Sequence, residues 1–350
     1  MDWDLAERDR LIELLMGITP AQTIPVLSHL GVADLLADGP RKVDDLAESL
    51  GAHAMTLYRL LRFAASYGVF TEVGPRTFAL TPMAAYLRSD APGTLHWRVD
   101  ENDAAGRPWW PWEEWLETVR TGEPVYDRVN GRSWWEGLAS NPNTRALFDQ
   151  AQRSQAELHT EAILPLLDLS GRHHAVEVGA GEASWLAAVL MAYPKMTGIA
   201  FDKAEAGPAA EGRLKEVGLD GRAEVVIGDF FNSIPAGDVL LVANVLHDWD
   251  DDRAAAILAR CRAALEPDGL LVIIDRILPD DDRRDYGKMF DMSMLLNLGG
   301  RERTLREFEV LLGQVGLTLI RHHRTNLAIG VLEAQIEPVR ASGPSVPVTP

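Results

Sequence analysis

Apolar side chains recur at helical spacing from residue 9 to residue 36, through Leu11, Leu14, Leu15, Ile18, Ile24, Leu27, Leu30, Leu35 and Leu36. Pro20 and Pro25 interrupt the run, so the pattern predicts helices bent or broken there. The acidic pair Asp44-Asp45 and the stop at Gly51 bracket a short helix, and a second is expected over about 54–67, closed by Gly68. Residues 69–72 and 77–80 read as short strands around the turn Gly74-Pro75, and Thr81-Pro82 opens a further helix. Helix, turn, helix and hairpin make a winged-helix pattern. Near His174 the pattern changes. Strands are expected over 174–178, 197–201, 223–227, 239–242, 269–274, 317–324 and 327–334, with helices over 184–192, 251–265 and 305–315 among them. Strands alternating with helices imply crossover units and a parallel sheet.

At 350 residues the chain exceeds one hydrophobic core. The fold class expected is α/β, a Rossmann-like seven-stranded domain over 166–336 behind a mostly helical, winged-helix-like domain over 1–165, with a frayed tail over 337–350. Apolar residues at 47% and charged residues at 25% are ordinary for a globular protein. The net charge of −18 alters the winged-helix reading, because such a field repels nucleic acid and anionic membrane surfaces. The helix carrying Arg59 and Arg62 offers few cations, so the pattern reads as a packing or dimerisation module, and no nucleic-acid or membrane partner is expected. The lone Cys261 forms no internal disulfide, the first residues lack a signal-peptide pattern, and no apolar run spans a bilayer, so a cytoplasmic protein is expected. Trp97, Trp109, Trp110, Trp112, Trp115, Trp134 and Trp135 crowd one stretch, as core, subunit interface or the wall of a cavity for a flat ligand.

The run Val176-Glu177-Val178-Gly179-Ala180-Gly181-Glu182-Ala183 carries a strand into a glycine-rich turn before a helix. Asp202 ends the next strand, where a carboxylate can hold ribose hydroxyls. Ser184 stands where a dinucleotide fingerprint needs glycine, which weakens a pyrophosphate reading. A nucleoside ligand without phosphates needs only close backbone approach and the ribose carboxylate; S-adenosylmethionine is such a ligand. Gly228-Asp229-Phe230 follows the third strand, with a carboxylate for an adenine amino group and a ring for its face. The cofactor set is therefore Glu177, Gly179, Gly181, Asp202, Gly228, Asp229 and Phe230, while Asp202 and Asp229 also read as turn caps.

The runs Val245-Leu246-His247-Asp248-Trp249-Asp250-Asp251-Asp252 and Gly299-Gly300-Arg301-Glu302-Arg303-Thr304 complete a pattern. With them the chain resembles, over nearly its whole length, the S-adenosylmethionine-dependent O-methyltransferases of plant and bacterial secondary metabolism, including caffeate-type and polyketide-tailoring enzymes. The resemblance implies a homodimer that methylates a hydroxyl of a small aromatic natural product. It implies His247 as general base, flanked by Asp275 and Glu302 that orient the imidazole. A phenol of pKa about 10 is a poor nucleophile until deprotonated, and histidine is suited to take that proton near neutrality. The resemblance further implies Asn244 and Asp248 at the cofactor, Met294 and Asn297 at the substrate, and Gln152 to Ser154 on a helix crossing the cofactor mouth. Ala183, Lys203-Ala204 and Ala243-Asn244 depart from the family pattern. Asp250 to Asp252 read as the start of a helix, and no metal site is expected. The alternatives are a same-fold tailoring enzyme that hydroxylates or methylates nitrogen or carbon, a nicotinamide oxidoreductase, and a ligand-sensing DNA-binding regulator.

Overall fold

The computed structural model describes residues 5–96, 111–325, 327 and 329–337. Trp97, Trp109, Trp110, the side chain of Trp112 and the expected tail beyond residue 337 lie outside the described residues. The chain forms two compact units, one of residues 1–105 and 143–155, the other of residues 106–142 and 156–350.

In the first unit α1 (Leu5–Leu15), α2 (Ile18–His29), α3 (Val32–Leu35), β1 (Arg41–Lys42), α4 (Val43–Leu50), α5 (Ala54–Ser66), β2 (Phe70–Gly74) and β3 (Thr77–Leu80) follow in order. The strands pair antiparallel in the order β1-β3-β2. Leu27, Leu36, Leu46, Leu57, Leu61, Phe70 and Phe78 are buried in its core. The breaks between the first helices differ from the expectation: Pro25 lies inside α2 and Pro20 in its first turn, while the chain turns at Gly17 and at Gly31, the latter with φ of 70°. A proline in a first turn loses no needed N–H, whereas a left-handed residue ends a helix outright. On α5, Arg62 lies over the Tyr58 ring at 5.5 Å; Arg76 covers the same ring at 4.9 Å and pairs with Asp44 at 2.8 Å.

The second unit holds α6 (Trp112–Thr121), α7 (Val125–Asn130), α8 (Trp134–Ala139) and the end of α9 (Pro142–Ile163), then the α/β part. There β4 (His174–Val178), α10 (Ser184–Ala192), β5 (Thr197–Asp202), α11 (Gly207–Glu216), β6 (Ala223–Ile227), β7 (Gly237–Ala243), α12 (Asp251–Ala264) and β8 (Leu265–Asp275) alternate. After them come β9 (Ile277–Leu278), α13 (Tyr286–Asn297), β10 (Arg303–Thr304), α14 (Leu305–Gln314), β11 (Leu317–Arg324) and β12 (Gly330–Ile336). Seven strands form one sheet in the order β11-β12-β8-β7-β4-β5-β6.

Both faces of the sheet are covered, so strands such as β4 and β7 bury nearly every residue instead of alternating. Ala175, Val239, Leu241, Val272 and Ile274 pack under Leu186 and Leu190 of α10. Val176, Val178, Leu240, Val242 and Ile273 pack under Ile257 and Leu258 of α12 and Phe308 of α14. One expectation is corrected: β12 runs antiparallel to β8 and β11. Residues 325–329 leave room for a tight reversal but not for the crossover a parallel strand needs. Trp134 packs edge-on against Tyr126 at 5.1 Å, which makes it core.

Replacing Gly31 by Ala is expected to lower stability by roughly 1–2 kcal/mol, the cost of a left-handed L-residue, while Pro25→Ala leaves it unchanged or raises it. Urea unfolding of both variants checks this; equal loss for the two would return the break to the prolines.

Candidate active site

The sheet order reverses between β4 and β7, opening a crevice at their carboxyl ends. Gly179 and Gly181 follow β4 with φ of 71° and 53°. The Gly181 amide donates to Asp202 Oδ2 at 2.7 Å, and the Lys203 amide to Oδ1 at 2.6 Å, so the expected ribose carboxylate is drawn onto the glycine turn. A Cβ at Gly179 would lie 2.7 Å from Val245, and one at Gly228 would lie 2.4 Å from the Phe201 ring. These two positions are packed against neighbouring side chains, whereas a Cβ at Gly181, beside Asp202, would meet nothing within 4 Å, so the turn is open there. Phe230 packs against Phe231 at 4.9 Å, and Phe231 against Trp249 at 4.9 Å; Asp229 Oδ1 accepts the Phe231 amide at 2.9 Å. The open turn, carboxylate and aromatic wall fit a nucleoside.

Two of the expected cofactor positions, Glu177 and Asn244, have structural contacts of their own. Glu177 is buried, its Oε2 accepts the Leu186 amide at 2.8 Å in the first turn of α10, and burial pushes its carboxyl pKa up to about 8. Asn244 adopts a left-handed conformation at φ 52°, which asparagine tolerates, and its side chain faces Arg276 at 3.5 Å. Ala183, where the family pattern has glycine, holds a left-handed φ of 59° at the start of α10.

His247 lies in a short 3-10 turn, Leu246–Asp248, just beyond β7. Its Nδ1 is 2.9 Å from Asp275 Oδ1 and 3.0 Å from Glu302 Oε1. Two acceptors at those distances favour a proton on Nδ1, so that in the neutral ring the lone pair is on Nε2. Asp248 Oδ1 stands 3.4 Å from Nε2. Burial alone would lower the ring's pKa, but the carboxylates of Asp275, Glu302 and Asp248 outweigh it and hold the imidazole well above 6.5. Burial raises Glu302; for Asp275 the imidazole and Arg276 overcome burial and lower it. Burial also raises Asp248, to about 7.

Glu302 is far from His247 in sequence, and four features bring it there. The parallel pair β9–β10 sets Arg303 opposite Ile277, two residues beyond Asp275. Gly300 lies against the catalytic turn so closely that a Cβ would sit 2.1 Å from the His247 carbonyl oxygen. Arg303, 1% exposed, donates to the Leu246 and Trp249 carbonyls at 2.9 Å each and pairs with Asp251 at 2.8 Å, gripping both ends of the turn. Asp291 on α13 accepts the Glu302 amide at 2.8 Å.

Of the expected substrate residues, Met294 and Asn297 are buried on α13, and Phe290, on the same helix face, lies 5.9 Å from the His247 ring. Gln152 to Ser154 fall on α9 in the first unit. Phe290, Arg276 and Arg303 escape a reading of the sequence; Arg276, a charge at the end of an apolar strand, gave the one visible signal. His247, Asp275 and Glu302 have donor atoms within 4.8 Å of one another. Their donor types suit a divalent cation, but the Arg276 guanidinium, 3.6 Å from Glu302, repels one.

A doubly wound sheet with a nucleoside cradle at its switch point and a buried, carboxylate-backed imidazole beside it defines a group-transfer enzyme of the Rossmann-like class. Residues 112–318 match the O-methyltransferase domain model and residues 12–90 the O-methyltransferase dimerisation domain model. The chain belongs to this O-methyltransferase family and is an S-adenosylmethionine-dependent methyltransferase. It is 37% identical over 326 residues to the phenazine O-methyltransferase PhzM of Lysobacter antibioticus, covering 93% of this chain and 95% of that one. It is 38% identical over 320 residues to the mitomycin biosynthesis 6-O-methyltransferase of Streptomyces lavendulae, covering 90% of each. The crystal structure of the O-methyltransferase NcsB1 from neocarzinostatin biosynthesis, with S-adenosylmethionine and 2-hydroxy-5-methyl naphthoic acid, superposes with a TM-score of 0.78 at 35% identity, covering 91% of this chain and 96% of that one.

Gly300→Ala is expected to displace the catalytic turn and lower kcat on the order of 100-fold, with S-adenosylmethionine affinity nearly unchanged by calorimetry. A normal rate would show that the close approach at Gly300 does not set the position of Glu302.

Proposed function

We propose that the protein transfers the methyl group of S-adenosylmethionine to a hydroxyl of a small aromatic natural product, with His247 as general base, and that it works as a homodimer. The observation that carries this reading is the His247 ring, fixed through Nδ1 by Asp275 and Glu302 with its Nε2 lone pair left to accept a proton. Relatives named as O-methyltransferases of phenazine, mitomycin and naphthoate scaffolds support a flat hydroxylated acceptor.

When bound, S-adenosylmethionine supplies an electrophilic methyl group on a sulfonium. Asp202 and the turn at Gly179 and Gly181 would hold its ribose, and Asp229 with Phe230 would serve its adenine. His247 Nε2 would take the hydroxyl proton as the acceptor oxygen displaces the sulfur from the methyl carbon, the sulfur leaving as a neutral thioether, and Asp275 and Glu302 would hold the imidazolium. Phe290 and Met294 offer one apolar face to the acceptor ring. Asp248, at Nε2, is placed to receive the proton afterwards.

The decisive pair of variants is His247→Ala and Asp202→Ala, assayed with labelled methyl donor and a panel of phenols. The first is expected to lose about 100- to 10,000-fold in rate with cofactor affinity kept; the second is expected to lose cofactor affinity by calorimetry. A near-normal rate in His247→Ala would sink the base, and a product gaining oxygen in place of methyl would sink the reaction. Because only neutral imidazole accepts the proton and its pKa is raised, kcat/KM is expected to climb with pH, with its acid limb above 6.5, and then to flatten. Glu302→Gln removes one stabilising charge and shifts that limb to lower pH, with a milder loss of rate.

The dimer reading is supported by the match to the dimerisation domain and by Leu11, Leu14, Leu15 and Ile18, which are 56–73% exposed on α1 and the start of α2. Light scattering is expected to give twice the chain mass of 38.5 kDa. A monomer at micromolar concentration would remove the proposed role of these helices.

A further inference from the structure

Arg276 is 4% exposed, immediately after β8, and none of the steps above uses it. Its guanidinium lies flat enough over Phe290 for Cζ to stand 3.8 Å from the ring centroid, with Tyr286 at 5.8 Å. One terminal nitrogen is 3.4 Å from His247 Nδ1 and 3.6 Å from Glu302 Oε1, and 3.5 Å from the Asn244 amide oxygen. The long, shared contacts are those of a nearby charge more than of a directed bidentate pair, whose bonds would be shorter. Burying a guanidinium without a close carboxylate partner is costly. A role for its charge accounts for its being there.

The charged groups around the imidazole explain what that role is. Asp275 and Glu302 face Nδ1 from β8 and from the loop before β10, and Asp248 faces Nε2 from the catalytic turn itself. From α13 the ring is met by Phe290, while Tyr286 stacks on Phe290 and lies near Arg276. From α9, His159 faces Arg276, and burial together with that cation pushes its pKa down to about 4, so it is neutral. Against three carboxyl groups there is thus one cation. Without that cation the carboxyl groups would raise the ring's proton affinity further still, and a protonated ring accepts nothing.

Resting on the general-base reading, we propose that Arg276 is a positioning residue whose charge, held on Phe290 beside Nδ1 and Glu302, offsets one carboxylate and so limits how far the surrounding carboxyl groups raise the proton affinity of His247. It does not touch the reacting atoms. Its effect is on the proton affinity of the ring that does.

The test is the pH dependence of kcat/KM in Arg276→Met, Arg276→Lys and the double variant Arg276→Met/Glu302→Gln, with NMR titration of the His247 ring in each. Arg276→Met is expected to move the acid limb and the ring titration upward by about one pH unit or more, a modest share of what a unit charge at this distance exerts. Arg276→Lys keeps the charge and stays near the wild type. The double variant loses one charge of each sign and returns toward the wild-type limb, which a merely structural arginine would not produce. An unchanged ring titration in Arg276→Met, a lysine variant behaving like the methionine one, or a double variant no closer to wild type than Arg276→Met would each overturn the proposal. If Arg276→Met does not fold, the lysine and double variants decide it. The ring titration reads the charge effect without turnover, so a failure of the base itself, seen as normal rates in His247→Ala, remains distinguishable.

Discussion

The hydrogen on His247 Nδ1, shared between Asp275 and Glu302, is the contact around which the second unit is arranged. Two buried carboxyl groups on one nitrogen repel each other and lose their hydration, and Asp275 Oδ2 and Glu302 Oε2 are buried without a hydrogen-bond partner among the described residues. A contact that costly persists only if the backbone leaves the groups no alternative. The β9–β10 pair, Gly300 against the His247 carbonyl and Arg303 across the turn supply that restraint. Each is backbone geometry or a buried charge-assisted hydrogen bond, and none depends on a long flexible side chain held at the surface.

The same restraint ties the base to the cofactor edge. β4 and β7 are neighbours in the sheet, with Val178 opposite Val242, so the loops that follow them leave side by side. Val245, two residues before His247, presses on the Cα of Gly179 closely enough to forbid a side chain there. The glycine turn after β4 and the turn that carries His247 are therefore in van der Waals contact. Moving either one moves the other.

Strand and helix periodicity made the α/β half legible because each buried strand is bounded by turn residues. The strands over 174–178, 223–227 and 317–324 fall where the pattern put them, and α10 likewise. The antiparallel β12 was not legible, since its direction is set by a loop length and not by its own residues. In the first unit the prolines misled, because a proline tolerated in one turn of a helix looks the same in sequence as one that breaks it. At the site, His247, Asp275 and Glu302 were named from a resemblance, and their convergence could not be derived from spacing: it rests on the two-residue β9–β10 pair, too short to show a period. Arg276 was hidden for a different reason. A charge at the end of an apolar strand ordinarily points to solvent, and only the Phe290 face on α13 gives it a place inside.

Charge movement joins these parts into one account. Methylation of a hydroxyl consumes a sulfonium cation and releases a proton, so in the mechanism proposed above the positive charge would begin at the edge beyond β4 and end on the imidazole beyond β7. A site that only attracted cations would hold the proton on His247 before the reaction and stop it. A site without carboxylates would leave the imidazolium unsupported when it forms. Asp275, Glu302 and Asp248 favour the final position of the charge, and Arg276 opposes its early arrival there. The balance needs the arginine close to Nδ1 but not in a tight pair with Glu302, because a bidentate pair would withdraw Glu302 from the ring. Its position over Phe290 meets both conditions, as the aromatic face takes up the guanidinium that the carboxylate leaves unpaired.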